Sequence, residues 1–247
     1  MGVTSDGRLT HMKMLFDGAP VVVAAGMDFE ARIAEGPGVR AVYGQNRARY
    51  VRDLDAAIRA GARGVISFGV AGGLCPSLKP GDVVVASSIV TARHRYETHA
   101  RWSQSLRNAL SLPASEGAIF AADDAVMTVI EKEALLHGTG AVAVDVESGV
   151  AAEAAERYDL PFAVLRVVLD PAGRSLPLSA AVGARDDGTT DPAAVLLSLL
   201  RRPGDLGELI RLAGDARRAN RALFRCRKAL GPLFSLLDPL ELPLHVE

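Results

Sequence analysis

Short, almost unbroken apolar runs alternate with alanine-rich amphipathic segments through the first 170 positions of the chain. "PVVVAAG" (20–26), "GVRAVYG" (38–44), "RGVISFGVAGG" (63–73), "GDVVVASSIV" (81–90), "GAIFAA" (117–122), "GAVAVDVE" (140–147) and "PFAVLRVVLD" (161–170) are rich in β-branched residues and bounded by turn formers, which predicts strands. Runs apolar at nearly every position belong to a sheet buried on both faces. Between the second and third, "NRARYVRDLDAAIRAG" sets Val51, Leu54 and Ile58 on one helical face with charges opposite, and Gly61 suits the helix end. The pattern therefore predicts an α/β fold, a central sheet covered by helices on both faces.

Beyond Asp170 the pattern changes. "PAGRSLPLSAAVGARDDGTTD" reads as loop, and the segment from Pro192 to Phe234 reads as two helices broken at "RRPGD". Val195, Leu196, Leu199 and Leu200 form an apolar stripe in the first, and Leu206, Leu209, Ile210 and Ala213 in the second. These stripes pack on the domain or face a lipid or a partner. The chain divides into a polar, patternless start (1–19), flexible or carried over from cloning, an α/β domain (20–190) and a helical C-terminal extension packed on it (191–247).

Composition narrows the function. With 49% hydrophobic residues the chain can fill a substantial core, and 28 basic against 29 acidic residues give a net charge of -1. Such a balance attracts neither nucleic acid nor anionic lipid globally, so any charged ligand is met locally. Cys75 and Cys226 lie far apart without metal-ligand spacing, which suits a reducing cytoplasm. No apolar run approaches the roughly 20 residues of a membrane helix, and "APVVVAAGM" leads into "DFEAR" rather than a cleavage site, so no signal peptide is expected.

Three carboxylates stand where strands end: Glu30 just after the first, Glu147 after "VAVDV", and Asp170 at the end of "AVLRVVLD". In doubly wound sheets ligands gather beyond the carboxyl ends of the strands. Each acid also has a plainer reading: Glu30 as a solvated first-turn acid, Glu147 as a charge favoured by a helix N-terminus, Asp170 as a turn former before Pro171. The turn "SFGVAGGL" (67–74), containing Gly69, Val70, Ala71 and Gly72, offers backbone N–H groups to a phosphate or sugar but lacks the order of a dinucleotide fingerprint or a P-loop.

Taken in order, these segments resemble the nucleoside phosphorylase and nucleosidase superfamily over roughly residues 20 to 172. "AAGMDFE" is similar to its first strand and catalytic acid, "SFGVAGGL...LKPGDVVV" to its glycine turn and next strand, "VAVDVESGVAA" to its ribose-binding motif, and "LRVVLD" to the segment ending in the base-protonating aspartate. More narrowly, "GMDFEARIA" and "VLLSLLRRPGDLGELIRLAGDARRANRAL" resemble hopanoid-associated phosphorylases, which remove adenine from adenosylhopane. The resemblance implies a mixed, mostly parallel sheet and a catalyst that needs no cofactor, with inorganic phosphate an open choice of co-substrate. Asp170 is then the general acid at purine N7, Glu147 with Val146 binds ribose and steadies its developing positive charge, and Glu30 activates water. Asp145 receives no role beyond supporting these residues.

Departures from the family pattern bear on the nucleophile. Ser67 and Val70 stand where phosphorylases carry the arginine and serine that hold phosphate, while Arg32, Arg40, Arg93 and Arg95 are candidate replacements, which leaves water and phosphate both open. Leu169 replaces the serine that precedes the aspartate, implying a drier Asp170 with a raised pKa or an altered geometry. Val126 falls where relatives stack an aromatic ring on adenine, with Met127 offering backbone groups to the base edge. In "TARHRYETHARW" (91–102), His94 and Tyr96 belong either to an exposed loop or helix start, or to the ribose and 5′ side of a substrate. No metal-ligand set is apparent.

The expected substrate is a nucleoside-lipid, with a soluble thioadenosine or a non-catalytic binding module as the alternatives. The expected protein is cytoplasmic, with peripheral contact at the inner membrane face open, and a homo-oligomer, a dimer above all. No nucleic-acid partner is expected.

Overall fold

The computed structural model describes residues 18–177, 198 and 202–236. The expected stripe from Val195 to Leu200 and the first 17 residues lie outside them, Ser198 apart. The order is β1 (Val21–Ala25), α1 (Asp28–Ala34), β2 (Val39–Tyr43), α2 (Arg47–Arg59), β3 (Gly64–Gly73), β4 (Val83–Val90), β5 (Arg95–Glu97), α3 (Ala100–Ala109), β6 (Ala114–Ala121), α4 (Val129–Thr139), β7 (Ala143–Asp145), α5 (Ser148–Arg157), β8 (Phe162–Asp170), a 3-10 turn (Pro203–Asp205) and α6 (Leu206–Ala229).

The sheet is mixed and mostly parallel, as expected. β2, β1, β3 and β8 run parallel side by side; β8 continues antiparallel onto β4, and β4 runs parallel to β6, which runs parallel to β7. β7 returns antiparallel to the end of β3, pairing Val144 with Gly72 and Ala143 with Gly73. The circuit β3-β8-β4-β6-β7 thus closes on itself, with β1 and β2 as a wing. Closure brings the ends of β3, β7 and β8 together.

Alternation along the strands sorts the core into two layers. Val22, Ala24 and Val65 join Phe162, Val164 and Val168 on the face covered by α2 and α5, where Leu54, Ile58, Ala151 and Ala155 pack. Val21, Val23, Ile66 and Phe68 join Leu165 and Val167 on the other face, covered by α1, α3 and α6 through Ala34, Trp102, Leu106 and Leu223. Asn46 caps α2 by accepting from Arg49 N, and Gly61 follows its end at φ +109°.

Three expectations need correction. The run 140–147 forms only the short β7, because the chain turns into α5 at Ser148. The polar stretch 91–102 supplies β5, antiparallel to β4, and its Trp102 is core, its indole N–H donating 2.7 Å to the Phe234 carbonyl. Of the stripe Leu206, Leu209, Ile210 and Ala213, Leu209 is half-buried and the other three are exposed, while the face of α6 turned to the sheet begins a turn later with Asp215, Ala219, Ala222, Leu223 and Cys226. Leu223 is wholly buried among Val21, Phe68 and Leu165 of that layer. Leu223→Ala should therefore destabilise the protein by about 2–5 kcal/mol, read from urea unfolding midpoints; a loss below about 1 kcal/mol would show that α6 is a loose appendage.

Candidate active site

β8 presents alternate residues to each layer, so Arg166 falls on the same face as Val164 and Val168. Its guanidinium is fully buried and needs anions to stay there. Three surround it. Asp145, at the end of β7, lies 2.7 Å from Arg166 Nε, and Glu147 Oε2 lies 3.2 Å from Nη2. Glu30, from the first turn of α1, completes the set and is the third carboxylate that raises the arginine pKa. Ser67 of β3 and Ser148 at the start of α5 fill the remaining space: Arg166 Nη2 donates 2.8 Å to Ser67 Oγ, and Ser148 Oγ bonds both Ser67 and Asp145.

Glu30 is held from the main chain. One oxygen accepts from Gly26 N and Met27 N at 2.9 and 2.8 Å, capping its own helix, and the other from Val70 N at 2.7 Å. Burial raises its pKa against the pull of Arg166 and these three N–H groups. Glu147 is pushed up to about 7, burial outweighing Arg166, with Glu30 and Asp145 adding to the rise. Two glycines make room. A Cβ on Gly26 would lie 2.1 Å from Glu147 Oε1, and one on Gly69 would lie 2.4 Å from Glu30 Oε1. The glycine turn thus accommodates side chains from three elements, where the sequence suggested a phosphate or sugar cradle. The Tyr50 hydroxyl is buried without a hydrogen-bond partner among the described residues, and burial pushes its pKa well up, with Glu147, Asp145 and Glu30 adding to the rise and Arg166 opposing it.

Asp170 ends β8 at a register shift between Ala71 and Gly72, which sets it against Gly72. Burial raises its pKa, opposed by Lys132 and Arg174. Lys132, from α4, is itself buried and bonds Asp170 Oδ2. Residues 171–176 then fold back on the start of α4: Leu176 N donates 2.7 Å to the Met127 carbonyl and Val129 N donates 3.2 Å to Ser175 Oγ.

The other expected contacts are dispersed. Arg32 is 73% exposed at its side chain and pairs with Asp28, lining a groove between α1 and α6. Arg40 donates to the Ala57 carbonyl, Arg95 pairs with Glu97, and Arg93 is exposed. His94 packs edge-on against Tyr96 and faces Glu156, Tyr96 being half-buried against the core. Val126 packs beside Ala118 and Val144, and Val146 is half-buried between Asp145 and Glu147. Both backbone groups of Met127 are engaged, its N–H with Glu131 and its carbonyl with Leu176. Among the described residues no cluster of three His, Cys, Asp or Glu side chains is placed to hold a metal.

Sequence reasoning missed Arg166 and Lys132. Each carried a signal: a charge inside a nine-residue apolar strand, and a lysine one turn from both Val129 and Leu136 on a helix.

A closed mixed sheet with opposed helix layers and carboxylates gathered at strand ends is the fold of nucleoside phosphorylases and nucleosidases. Residues 3–201 match the model of the Phosphorylase superfamily, and the chain belongs to that family, whose membership makes it a glycosidic-bond-cleaving enzyme. The chain is similar to 5′-methylthioadenosine/S-adenosylhomocysteine nucleosidase of Helicobacter pylori, at 16% identity and a TM-score of 0.62 over 89% of this chain and 99% of that one. It is similar to a putative enzyme of the same name from Francisella philomiragia, at 15% identity and a TM-score of 0.60 over 88% and 99% of the two chains. Similarity to futalosine hydrolase of Helicobacter pylori is 20% identity and a TM-score of 0.55 over 62% and 88%. No curated protein sequence matches the chain.

The raised carboxyl of Glu147 has a consequence for stability. Its folded value of about 7 exceeds the ordinary 4.5, so the folded protein holds this proton more tightly than the unfolded chain. That contribution is complete below about pH 4.5 and is lost as pH rises through about 7. Relative to wild type, Glu147→Gln should gain stability between roughly pH 5 and 8, seen as a widening gap in urea midpoints; a constant gap would place the titration elsewhere.

Proposed function

We propose that the protein hydrolyses the N-glycosidic bond of a 5′-modified adenosine, with adenosylhopane as substrate, and releases adenine. The observation that carries this reading is the gathering of Glu30 and Glu147 around one buried arginine, with Asp170 on the same strand as that arginine, four residues on. As the bond from C1′ to the purine breaks, its electron pair leaves with the base and Asp170 delivers a proton to N7. Glu147 accepts hydrogen bonds from ribose hydroxyls and stabilises the positive charge developing on the sugar. Water adds to C1′ and gives a proton to Glu30, whose raised pKa suits a base.

Water is preferred to phosphate because of the cations. Arg32, Arg40 and Arg95 are engaged elsewhere, Arg93 is exposed, and Arg166 is enclosed by carboxylates that repel an anion. A soluble 5′-thioadenosine is the second reading, supported by the similarity to methylthioadenosine nucleosidases along 99% of their length.

The lipid substrate draws support from the surface. A groove of about 710 Å³ between α1 and α6 has Phe29, Ile33 and Phe224 in its lining, with Arg32, Arg221 and Arg225 beside them. Phe224 and Ile210 are 60% and 63% exposed, on a helix bearing seven basic and two acidic residues. Apolar side chains amid arginines fit an anionic bilayer surface. No helix among the described residues is long and apolar enough to cross one.

Two experiments test these readings. Adenosylhopane and methylthioadenosine are each incubated with enzyme, with and without phosphate, and the ribosyl product is weighed by mass spectrometry. Phosphate-independent adenine release from adenosylhopane giving a free ribosyl lipid is expected, with Asp170→Asn slower by about 10²–10⁴-fold; a ribosyl phosphate product would overturn hydrolysis, and turnover of methylthioadenosine alone would overturn the lipid. In flotation with phosphatidylglycerol vesicles the intact protein should rise and Phe224→Asp should not, since α6 is too deeply packed to delete. Failure of the wild type to float would reject the membrane contact.

A further inference from the structure

Among the described residues Lys132 is the buried lysine, and nothing in the roles given to Glu30, Glu147 and Asp170 requires it. A buried ammonium is expensive unless all three of its donors are used. Here they are. Nζ bonds Asp170 Oδ2, the Pro171 carbonyl at 3.0 Å and the Arg174 carbonyl at 2.8 Å. Three acceptors, one of them a carboxylate, take all three of its donors, and no described residue donates to Asp170 Oδ1.

The contacts also define a geometry. Lys132 sits on the second turn of α4, whose start is tied to the same turn by the bonds from Leu176 to Met127 and from Val129 to Ser175. One cation thereby clamps the end of β8, the turn at 171–174 and the helix that follows Val126 and Met127. The turn is held from its far side as well, where Arg174 pairs with Asp215 of α6 and Asp215 pairs with Arg218 at 2.7 Å.

We propose that Lys132 is a positioning residue for Asp170, gripping one carboxylate oxygen and the following turn so that the other oxygen is left to carry a proton to the departing base. This deepens the functional reading above and rests on Asp170 as the acid. Lys132 touches no reacting atom in this scheme; it acts through the carboxyl. It also sets when that carboxyl is protonated. The charged groups facing Asp170 are Lys132 from α4, Arg174 from the turn and Asp215 from α6, and Lys132 is the strongest influence opposing burial. Without the cation, burial acts with less opposition and Asp170 keeps its proton to higher pH.

The sign gives a test that a merely structural ion pair does not pass. An acid that must be protonated loses activity as pH rises through its pKa, so this falling limb should move up by about one to three pH units in Lys132→Met, with kcat lowered about 10- to 100-fold by misplacement and KM little changed. Lys132→Arg keeps the charge and should keep the limb near its wild-type position while still lowering kcat. The Asp170 carboxyl is followed separately by ¹³C NMR titration, assigned by its disappearance in Asp170→Asn, and should shift upward in Lys132→Met. Circular dichroism and thermal melts establish that each variant is folded, and Lys132→Gln serves the same comparison if the methionine variant is not. A folded, less stable Lys132→Met with unmoved limb and unmoved carboxyl titration overturns the proposal and leaves a structural ion pair. Absence of adenine release by the wild type defeats the functional reading instead, and the carboxyl titration then still decides whether Lys132 governs Asp170.

Discussion

One fully buried guanidinium holds this site together. Arg166 stands in the middle of an apolar strand, where an unpaired charge would cost several kcal/mol, and carboxylates from β7, the start of α5 and α1 converge on it. One positive charge against three acids cannot neutralise all of them in a low dielectric, so burial raises Glu30 and Glu147 even though the arginine pulls both down. Asp145, ion-paired with Arg166 at Nε and hydrogen-bonded by Ser148, is the anchor. The other two are left with the properties of a base and of an acceptor near its titration point. Backbone close approach follows from the same crowding: Gly26 and Gly69 have no room for a methyl group because carboxylates occupy it.

The closed circuit of strands makes this convergence possible. Were β7 to end short of β3, Asp145 and Glu147 would lie away from β8; instead Val144 pairs with Gly72, and Gly72 pairs with Asp170 across the register shift. The glycine turn is therefore the seam between two charged clusters, Arg166 with Glu30 and Glu147 on one side, Asp170 with Lys132 on the other. In the proposed reaction these are the sugar side and the base side. Each side pairs its acids with a buried cation carried on a different element.

Much of this was legible in the sequence, for physical reasons. Fully buried strands announce themselves as apolar runs, so β1, β2, β3, β4 and β8 were placed within a residue or two, and their acids followed from where the runs stop. β7 was overextended because an apolar run does not say where pairing ends. β5 and Trp102 were hidden in a polar stretch, since a three-residue edge strand needs little hydrophobicity and a single tryptophan has no period. The stripe of α6 was placed a turn early: Leu206 and Ile210 outrank Ala219 and Ala222 in hydrophobicity, yet the small alanines are what fit against the sheet. Arg166 and Lys132 escaped because a charge in an apolar pattern reads as an interruption until its partners, distant in sequence, are brought beside it. Arg32, Arg40, Arg93 and Arg95 were considered for their charge alone, and geometry engages or exposes all four elsewhere.

The most direct test of the account is a crystal structure with a non-hydrolysable adenosine analogue carrying an apolar 5′ substituent. The account predicts ribose hydroxyls on Glu147, purine N7 facing Asp170 on the Lys132 side of the glycine turn, and a water between Glu30 and the anomeric carbon. A nucleoside bound away from Arg166 and its carboxylates, in the groove between α1 and α6 for example, would contradict it.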